Sequence, residues 1–181
     1  MMSGKQISIL VLILSLLCGC GGQGPQRPSQ RKGEKPQEDT TQLALMEMTL
    51  RMAEAADQAV EQAVQAQEET FALYEAHAWI HLFDPGRTEE PTLQPQKPYT
   101  IHMRVYSLDG KLLEDTKGTY TLGKNELPHV VDQNLREMHP GAKMRMYAPW
   151  YTAFGQQGTE HVPPFENVII DIEIEELKKR F

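Results

Sequence analysis

The sequence predicts an α+β fold, with a long N-terminal helix ahead of a β-sheet and one short helix. Apolar residues recur every three or four positions from 43 to 74, and neither Gly nor Pro interrupts that stretch. This spacing is expected of an amphipathic helix. From 170 to 175 the pattern changes, because Ile170, Ile172 and Ile174 alternate with acidic residues. Such alternation is typical of a strand that buries one face and exposes the other to water.

Length and charge narrow the classes of protein that the chain can represent. Its 181 residues suffice for one domain with appendages. The net charge of −7 argues against a nucleic-acid partner, which requires a basic surface. The two cysteines, Cys18 and Cys20, both lie near the start of the chain. The folded part therefore has neither a disulfide nor a cysteine-based metal site.

Residues 1–19 are typical of a bacterial lipoprotein signal peptide. Lys5 precedes an apolar run from 7 to 17, which is too short to span a bilayer as a helix. The run leads into Leu-Cys-Gly-Cys, which resembles a lipobox, and Cys20 is the predicted lipidation site because a small residue precedes it. An ordinary cleaved signal is the alternative. By the same resemblance, Gly21 favours an anchor in the outer membrane, with the protein facing the periplasm.

Two segments separate this signal from the predicted sheet. Residues 20–38 are rich in Gly, Pro, Gln and mixed charge, so they are predicted to form a disordered tether. Residues 39–78 are assigned to the long helix, whose seam over 43–74 predicts either a homodimer or a solvated stalk. We call this row of residues the apolar seam, although it includes two polar interruptions; its members are Leu43, Met46, Leu50, Ala53, Asp57, Val60, Val64, Gln67, Phe71 and Tyr74.

Two histidines near the end of the predicted helix are candidate metal ligands. His77 and His81 are four residues apart, a spacing that places two imidazoles on one helical face. No third ligand accompanies them, and the Pro-Gly pair at 85–86 breaks the chain soon afterwards. We therefore predict no metal site.

The predicted sheet domain covers residues 97–178. A first strand is indicated by the alternation of Ile101, Met103 and Val105, and the Asp-Gly pair at 109–110 is a strong hairpin signal. Further strands are predicted at 120–123, 143–148 and 168–174. Between them, residues 126–138 are expected to form a helix with Leu127, Val131, Leu135 and Met138 on one face.

Several spaced motifs in the C-terminal part resemble those of the FKBP-type peptidyl-prolyl isomerases. They are Gly141, Pro149, Ala153-Phe154-Gly155, Gly158, Val162-Pro163-Pro164 and the final strand Val168–Ile174. The resemblance implies a highly twisted antiparallel sheet wrapped around one short helix, and an activity that needs no cofactor. Rotation about the bond before proline meets a barrier of about 18–20 kcal/mol. A dry apolar pocket can favour the twisted amide over the planar one without moving a proton.

The resemblance also assigns pocket residues, although most positions differ from the family's pattern. The predicted catalytic positions are Phe154, where the family has tyrosine, Val131, where it has tryptophan, and Glu114, where it has aspartate. The predicted substrate-binding positions are Met103, Leu113, Leu127, Pro128, Val162 and Ile170. Phe154 lacks the hydroxyl that would donate to a peptide carbonyl, and Val131 removes a large flat surface. Each could instead be a core residue, and Trp150 and Tyr151 could replace the missing aromatics.

Three functions are compatible with these residues. The leading prediction is a lipid-anchored prolyl isomerase that assists the folding of proline-containing envelope proteins. The lipobox, helix and domain order resemble the FKBP-like lipoproteins associated with gliding motility. The first alternative is a degenerate FKBP that binds polypeptides as a chaperone without isomerising them. The second alternative is a structural envelope protein that assembles through its helix.

Overall fold

The computed structural model describes residues 40–175, which run from a long helix into an antiparallel sheet. The predicted signal peptide, the tether and Cys20 lie outside the described residues. The elements in chain order are helix α1 (Thr40–Gln65), strand β1 (Ala72–Leu73), a 3₁₀ turn (Glu75–His77), β2 (Trp79–Asp84), β3 (Pro98–Ser107), β4 (Leu112–Thr121), helix α2 (His129–Leu135), β5 (Lys143–Ala148) and β6 (Val168–Glu175).

The strands form one six-stranded sheet in the order β1-β2-β5-β6-β3-β4, and each neighbouring pair is antiparallel. Helix α2 packs into the main hydrophobic core on one face of this sheet, where its Val130, Val131 and Leu135 are fully buried. The predicted α+β fold, with an antiparallel sheet around one short helix behind a long N-terminal helix, is confirmed.

Strand β6 shows how the period-two pattern builds the sheet. Ile170, Ile172 and Ile174 are almost completely buried in the main core. On the other face, Asp171 accepts two hydrogen bonds from Arg145, at 2.7 and 2.9 Å, and Glu173 accepts one from Arg104 at 2.9 Å. The strands predicted at 143–148 and 168–174 are confirmed.

The sheet begins earlier in the chain than predicted. Strand β2 pairs with β5, and β1 extends that edge, so a boundary at 97 leaves two strands out. Ile80 packs into the main core while its neighbour Trp79 packs on the opposite face. His77 lies in the 3₁₀ turn and His81 in β2, so the two histidines do not share a helical face.

Helix α1 ends at Gln65, although its seam was predicted to continue to Tyr74. A continued helix would carry Phe71 about 10 Å beyond Val64 along the axis. The chain instead turns back, and the Phe71 ring packs edge-on against Tyr147 with centroids 5.1 Å apart. Phe71 thereby joins the cluster that already contains Val64.

Two further boundaries differ from the prediction. Strand β4 is continuous from Leu112 to Thr121, where only a short strand at 120–123 was expected. Helix α2 covers His129–Leu135, and Pro128 is its N-cap with an extended ψ of 144°. The predicted helix over 126–138 is therefore shorter, because a proline is compatible with a helix start but lacks the N–H that a helix interior requires.

The two halves of α1 have different surroundings. In the C-terminal half, Val60 and Val64 are buried against Tyr147 and Ile169, so the helix covers the sheet face opposite α2. The N-terminal half is exposed, and its large apolar side chains are between 49% and 64% accessible; they are Leu43, Leu45, Met46, Met48 and Leu50. Within residues 40–175, no helix is both long and apolar enough to span a bilayer.

We expect residues 40–181 to form a dimer in solution, because the exposed end of α1 presents Leu43, Met46 and Leu50 to water. Light scattering should give the mass of two chains. Replacing these three residues by Gln should give the mass of one chain, whereas Gln58→Ala, an exposed change further along α1, should leave the dimer intact. A single-chain mass for the unaltered protein would leave the helix as a stalk.

Candidate functional site

A cleft of about 520 Å³ opens between strands β3 and β4, the start of α2 and the connection from β5 to β6. Its apolar wall combines an aliphatic thioether, two aromatic rings and two small residues, and its polar lining is mostly acidic. The lining residues are Met103, Glu114, Tyr120, Glu126, Pro128, Ala153, Phe154, Thr159, Glu160 and His161.

The pairing of β3 with β4 places three of these side chains on one face. The register pairs Tyr99 with Tyr120, Met103 with Thr116, and Val105 with Glu114. Directly opposed residues in an antiparallel pair point to the same side. Because Met103 and Val105 face the core, Glu114 and Tyr120 rise from β4 on that side and border the cleft.

A glycine makes room for the Tyr120 ring. A Cβ atom built on Gly118 would lie 3.2 Å from the Cε2, Cζ and hydroxyl oxygen atoms of Tyr120, so the ring lies across the bare backbone of Gly118. A glycine within a strand often marks such a close approach. Tyr120 was not among the predicted site residues, and the glycine two positions before it is the sequence signal that could have indicated it.

The Phe154 ring is carried by a compact turn over 149–155. The carbonyl of Pro149 accepts hydrogen bonds from the N–H groups of Thr152 and Ala153, both at 3.2 Å, and the Gly155 N–H donates to Trp150 at 2.7 Å. The carbonyl of Thr152 accepts from the Val130 N–H at 3.0 Å, which joins the turn to α2. These bonds fix the position of Phe154 relative to the helix.

The second part of the connection depends on Gly158. This residue has a φ of +65°, and a Cβ there would overlap the backbone of Val162 and Pro163, so a side chain would not be accommodated. Thr159 closes the turn, because its hydroxyl oxygen accepts the Val162 N–H at 3.0 Å. This closure holds Thr159, Glu160 and His161 at the mouth of the cleft.

The structure brings only part of the predicted site together. Four predicted residues line the cleft: Met103, Glu114, Pro128 and Phe154. Four others are buried in the main core, namely Leu127, Val131, Val162 and Ile170, and Leu113 packs partly buried against that core. Their functional roles remain predictions. Trp150 packs on Tyr151 and Phe165, and neither Trp150 nor Tyr151 is among the residues that line the cleft.

The electrostatics of the cleft are one-sided. Glu114, Glu126 and Glu160 contribute carboxylates, and no Lys or Arg is among the lining residues. Glu126 accepts the Thr121 N–H at 2.7 Å. Between residues 40 and 175, none of these three carboxylates forms an ion pair. The cleft can therefore hold a small apolar group while its rim attracts positive charge.

The part of the chain that the structure describes contains no group of three or more His, Cys, Asp or Glu side chains arranged to hold a metal ion. The Tyr120 hydroxyl has no hydrogen-bond partner within these residues, whereas the neighbouring Tyr99 hydroxyl accepts the Gln94 N–H at 2.8 Å. The Tyr120 hydroxyl is thus a donor at the cleft wall that a bound molecule could use.

Comparisons with known proteins agree with this geometry. Residues 90–175 match the sequence profile described as FKBP-type peptidyl-prolyl cis-trans isomerase. A peptidyl-prolyl cis-trans isomerase from Pseudomonas syringae pv. tomato DC3000 has a similar structure, with a TM-score of 0.59 and 18% identity over 71% of this chain and 94% of that one. A search of curated proteins found no significant match.

The N-terminal domain of FKBP42 from Arabidopsis thaliana is also similar, with a TM-score of 0.51 and 17% identity over 60% of this chain and 91% of that domain. At these identities the two structures show a shared fold. The sequence profile supports the predicted isomerase activity.

We expect Val131→Trp to lower the free energy of unfolding by about 1–3 kcal/mol, because an overpacked core is strained. Val131 is fully buried within the main core and does not border the cleft. Urea unfolding followed by circular dichroism should show a lower midpoint, while Val131→Ile should shift it less. A tryptophan variant as stable as the unaltered protein would instead indicate unfilled space at this position.

Proposed function

We propose that this chain, whose residues 90–175 form an FKBP-type peptidyl-prolyl cis-trans isomerase domain, is a lipid-anchored prolyl isomerase that assists the folding of envelope proteins. The observation that supports the activity best is the cleft itself, which presents Met103, Tyr120 and Phe154 around one space. A prolyl ring is a small apolar group of the kind that such a wall can bury.

The chemistry asked of this cleft is conformational. The amide before proline loses its resonance as it twists, so a site that binds the twisted form more tightly than the planar form accelerates the rotation. The apolar side chains exclude water from the ring. The Tyr120 hydroxyl supplies the donor that Phe154 lacks, and it can bond a carbonyl of the bound peptide. Tyr120 also provides aromatic surface that Val131 does not.

The test is a protease-free isomerisation assay on residues 40–181 with a proline-containing peptide. We expect a rate above the uncatalysed one, but below that of an FKBP with a fully aromatic pocket. Loss of one hydrogen bond costs about 0.5–1.5 kcal/mol, so Tyr120→Phe should lower kcat/KM by roughly two- to tenfold. Tyr120→Leu, which also removes the ring, should lower it further.

Tyr106→Phe is the matched control, because Tyr106 belongs to the cluster on the opposite face of the sheet and should leave kcat/KM unchanged. Equal losses in the Tyr106 and Tyr120 variants would remove the role given to Tyr120. A folded protein with no measurable rate would rule out the isomerase.

The second candidate function is a protein-binding module without isomerase activity. It is favoured by the buried position of Val131 and by the replacement of tyrosine with phenylalanine at 154, which together leave the cleft with fewer specific groups than the family pattern. This alternative would be established by a proline peptide that binds the unaltered protein, binds Phe154→Ala more weakly, and isomerises at the uncatalysed rate in the presence of either protein.

The proposed lipid anchor is supported by the sequence before Cys20, which resembles a lipobox with Gly19 next to the cysteine. The proposed outer-membrane location is supported by Gly21 after it, through the same resemblance. Stable attachment needs more than one acyl chain, and acylation at this cysteine would supply them. We expect Cys20→Ser to move the protein from the membrane fraction to the soluble fraction. Cys18→Ser is the control and should leave the protein membrane-bound; release by neither change would contradict the anchor.

A further inference from the structure

Three side chains from separate parts of the chain meet beside the turn that carries Phe154. The Tyr151 hydroxyl donates to Oδ1 of Asp57 in α1 at 2.6 Å. His77 contributes from the 3₁₀ turn, with its Nδ1 3.7 Å from the same carboxylate. Its ring lies edge-on to Tyr151, with centroids 5.9 Å apart. This cluster links α1 directly to the connection that forms one side of the cleft.

Asp57 interrupts the apolar seam at the point where α1 begins to cover the sheet. The next seam residues, Val60 and Val64, are buried, so an apolar side chain at 57 would continue the packing. The Asp57 carboxylate instead accepts the hydrogen bond from Tyr151. A hydrogen bond to a charged acceptor is stronger than one between neutral groups. Burial, together with the bond to Asp57, raises the pKa of Tyr151. The phenol therefore stays protonated and remains a donor.

The turn transmits the position of Tyr151 to Phe154. Both residues lie within 149–155, where the Pro149 and Trp150 carbonyls close successive hydrogen bonds. At its far end, the carbonyl of Gly155 accepts the Phe165 N–H at 3.2 Å. Because hydrogen bonds close this segment at several points, we expect a shift of the Tyr151 ring to shift Phe154 in the cleft.

A turn with a strained backbone carries His77 to the Tyr151 ring. Ala76 and His77 are consecutive residues with φ of 54° and 56°, in the left-handed region that side chains disfavour. This conformation places His77 against Tyr151. The turn is attached to α2 as well, since the carbonyl of Glu75 accepts a hydrogen bond from Asn134 Nδ2 at 3.2 Å.

We propose that Asp57 is a positioning residue of the isomerase site: by holding the Tyr151 hydroxyl, it fixes the turn that presents Phe154 to the cleft. Helix α1 is then a working part of the site, in addition to covering the sheet. The expected change in KM rests on the proposed function. The expected change in the position of the Phe154 ring does not.

The test compares Asp57→Ala, Asp57→Asn and Tyr151→Phe in residues 40–181. Asparagine keeps an acceptor oxygen for the phenol but loses the charge, so its effect should be smaller than that of alanine. The alanine and phenylalanine variants lose the bond, and we expect each to raise KM for a proline peptide by roughly two- to tenfold with little change in kcat. The ring signals of Phe154, assigned by NMR after selective labelling, should shift or broaden in the same two variants.

Val64→Ala is the control for stability alone. It removes buried packing between α1 and the sheet but leaves the contacts among Asp57, His77 and Tyr151 intact. It should therefore lower the melting temperature and change neither KM nor the Phe154 signals. Unchanged Phe154 signals in Asp57→Ala would overturn the proposal, and so would an equal disturbance in Val64→Ala. If the unaltered protein does not isomerise, the proposed function fails, while the NMR comparison still decides whether Asp57 positions Phe154.

Discussion

Strand β6 has hydrogen-bonded neighbours on both sides, and its alternating isoleucines form the middle of the main core. The register places Ile170 between Val105 of β3 and Met146 of β5, and Ile172 between Met103 and Met144. Each level of the core is therefore a row of three apolar side chains across three strands, and α2 packs on these rows. Both the cleft and the surface that receives α1 depend on this arrangement.

The opposite face of the same strands is held by charge. The bidentate bond from Arg145 to Asp171 lies in the register that pairs these residues across β5 and β6. The hydrogen bonds to Asp171 raise the pKa of Arg145. Where α1 crosses the sheet, Tyr147 and Ile169 make apolar contacts with the helix in place of such ion pairs. On this face, the β5–β6 pair is therefore charged and exposed to water at one end, and apolar and covered by α1 at the other.

How far the sequence predicts this molecule depends on the kind of signal. Alternation along β3, β5 and β6 was sufficient to place them, because a buried face imposes its period on the residues. Strand β1 was missed because it has only two residues and follows a helical pattern. The stretch 76–83 was expected to begin the sheet, but the domain boundary predicted at 97 left β2 outside the domain. The end of α1 was misplaced because Phe71 fits the helical spacing, although packing with Tyr147 requires the chain to turn back.

Residues of the cleft could be predicted only where the position in the sequence also determines the direction of the side chain. Phe154 and Glu114 could be placed from family motifs, since a turn or a strand register fixes where they point. Tyr120 was missed, because its ring reaches the cleft across Gly118, and only the two residues taken together indicate that geometry. The coupling of Asp57 to Tyr151 joins residues far apart in the chain, and a single sequence contains no signal for such a pair beyond a polar residue in an apolar seam.

The acidic lining of the cleft has a consequence for its choice among prolines. Carboxylates at Glu114, Glu126 and Glu160 would attract peptides with lysine or arginine beside the proline and repel those with acidic neighbours. Such attraction between exposed charges is screened by dissolved salt over about 8 Å at physiological ionic strength, and over about 30 Å in very dilute solution. The cleft would then accept a broad set of clients at high ionic strength and a narrow set at low ionic strength.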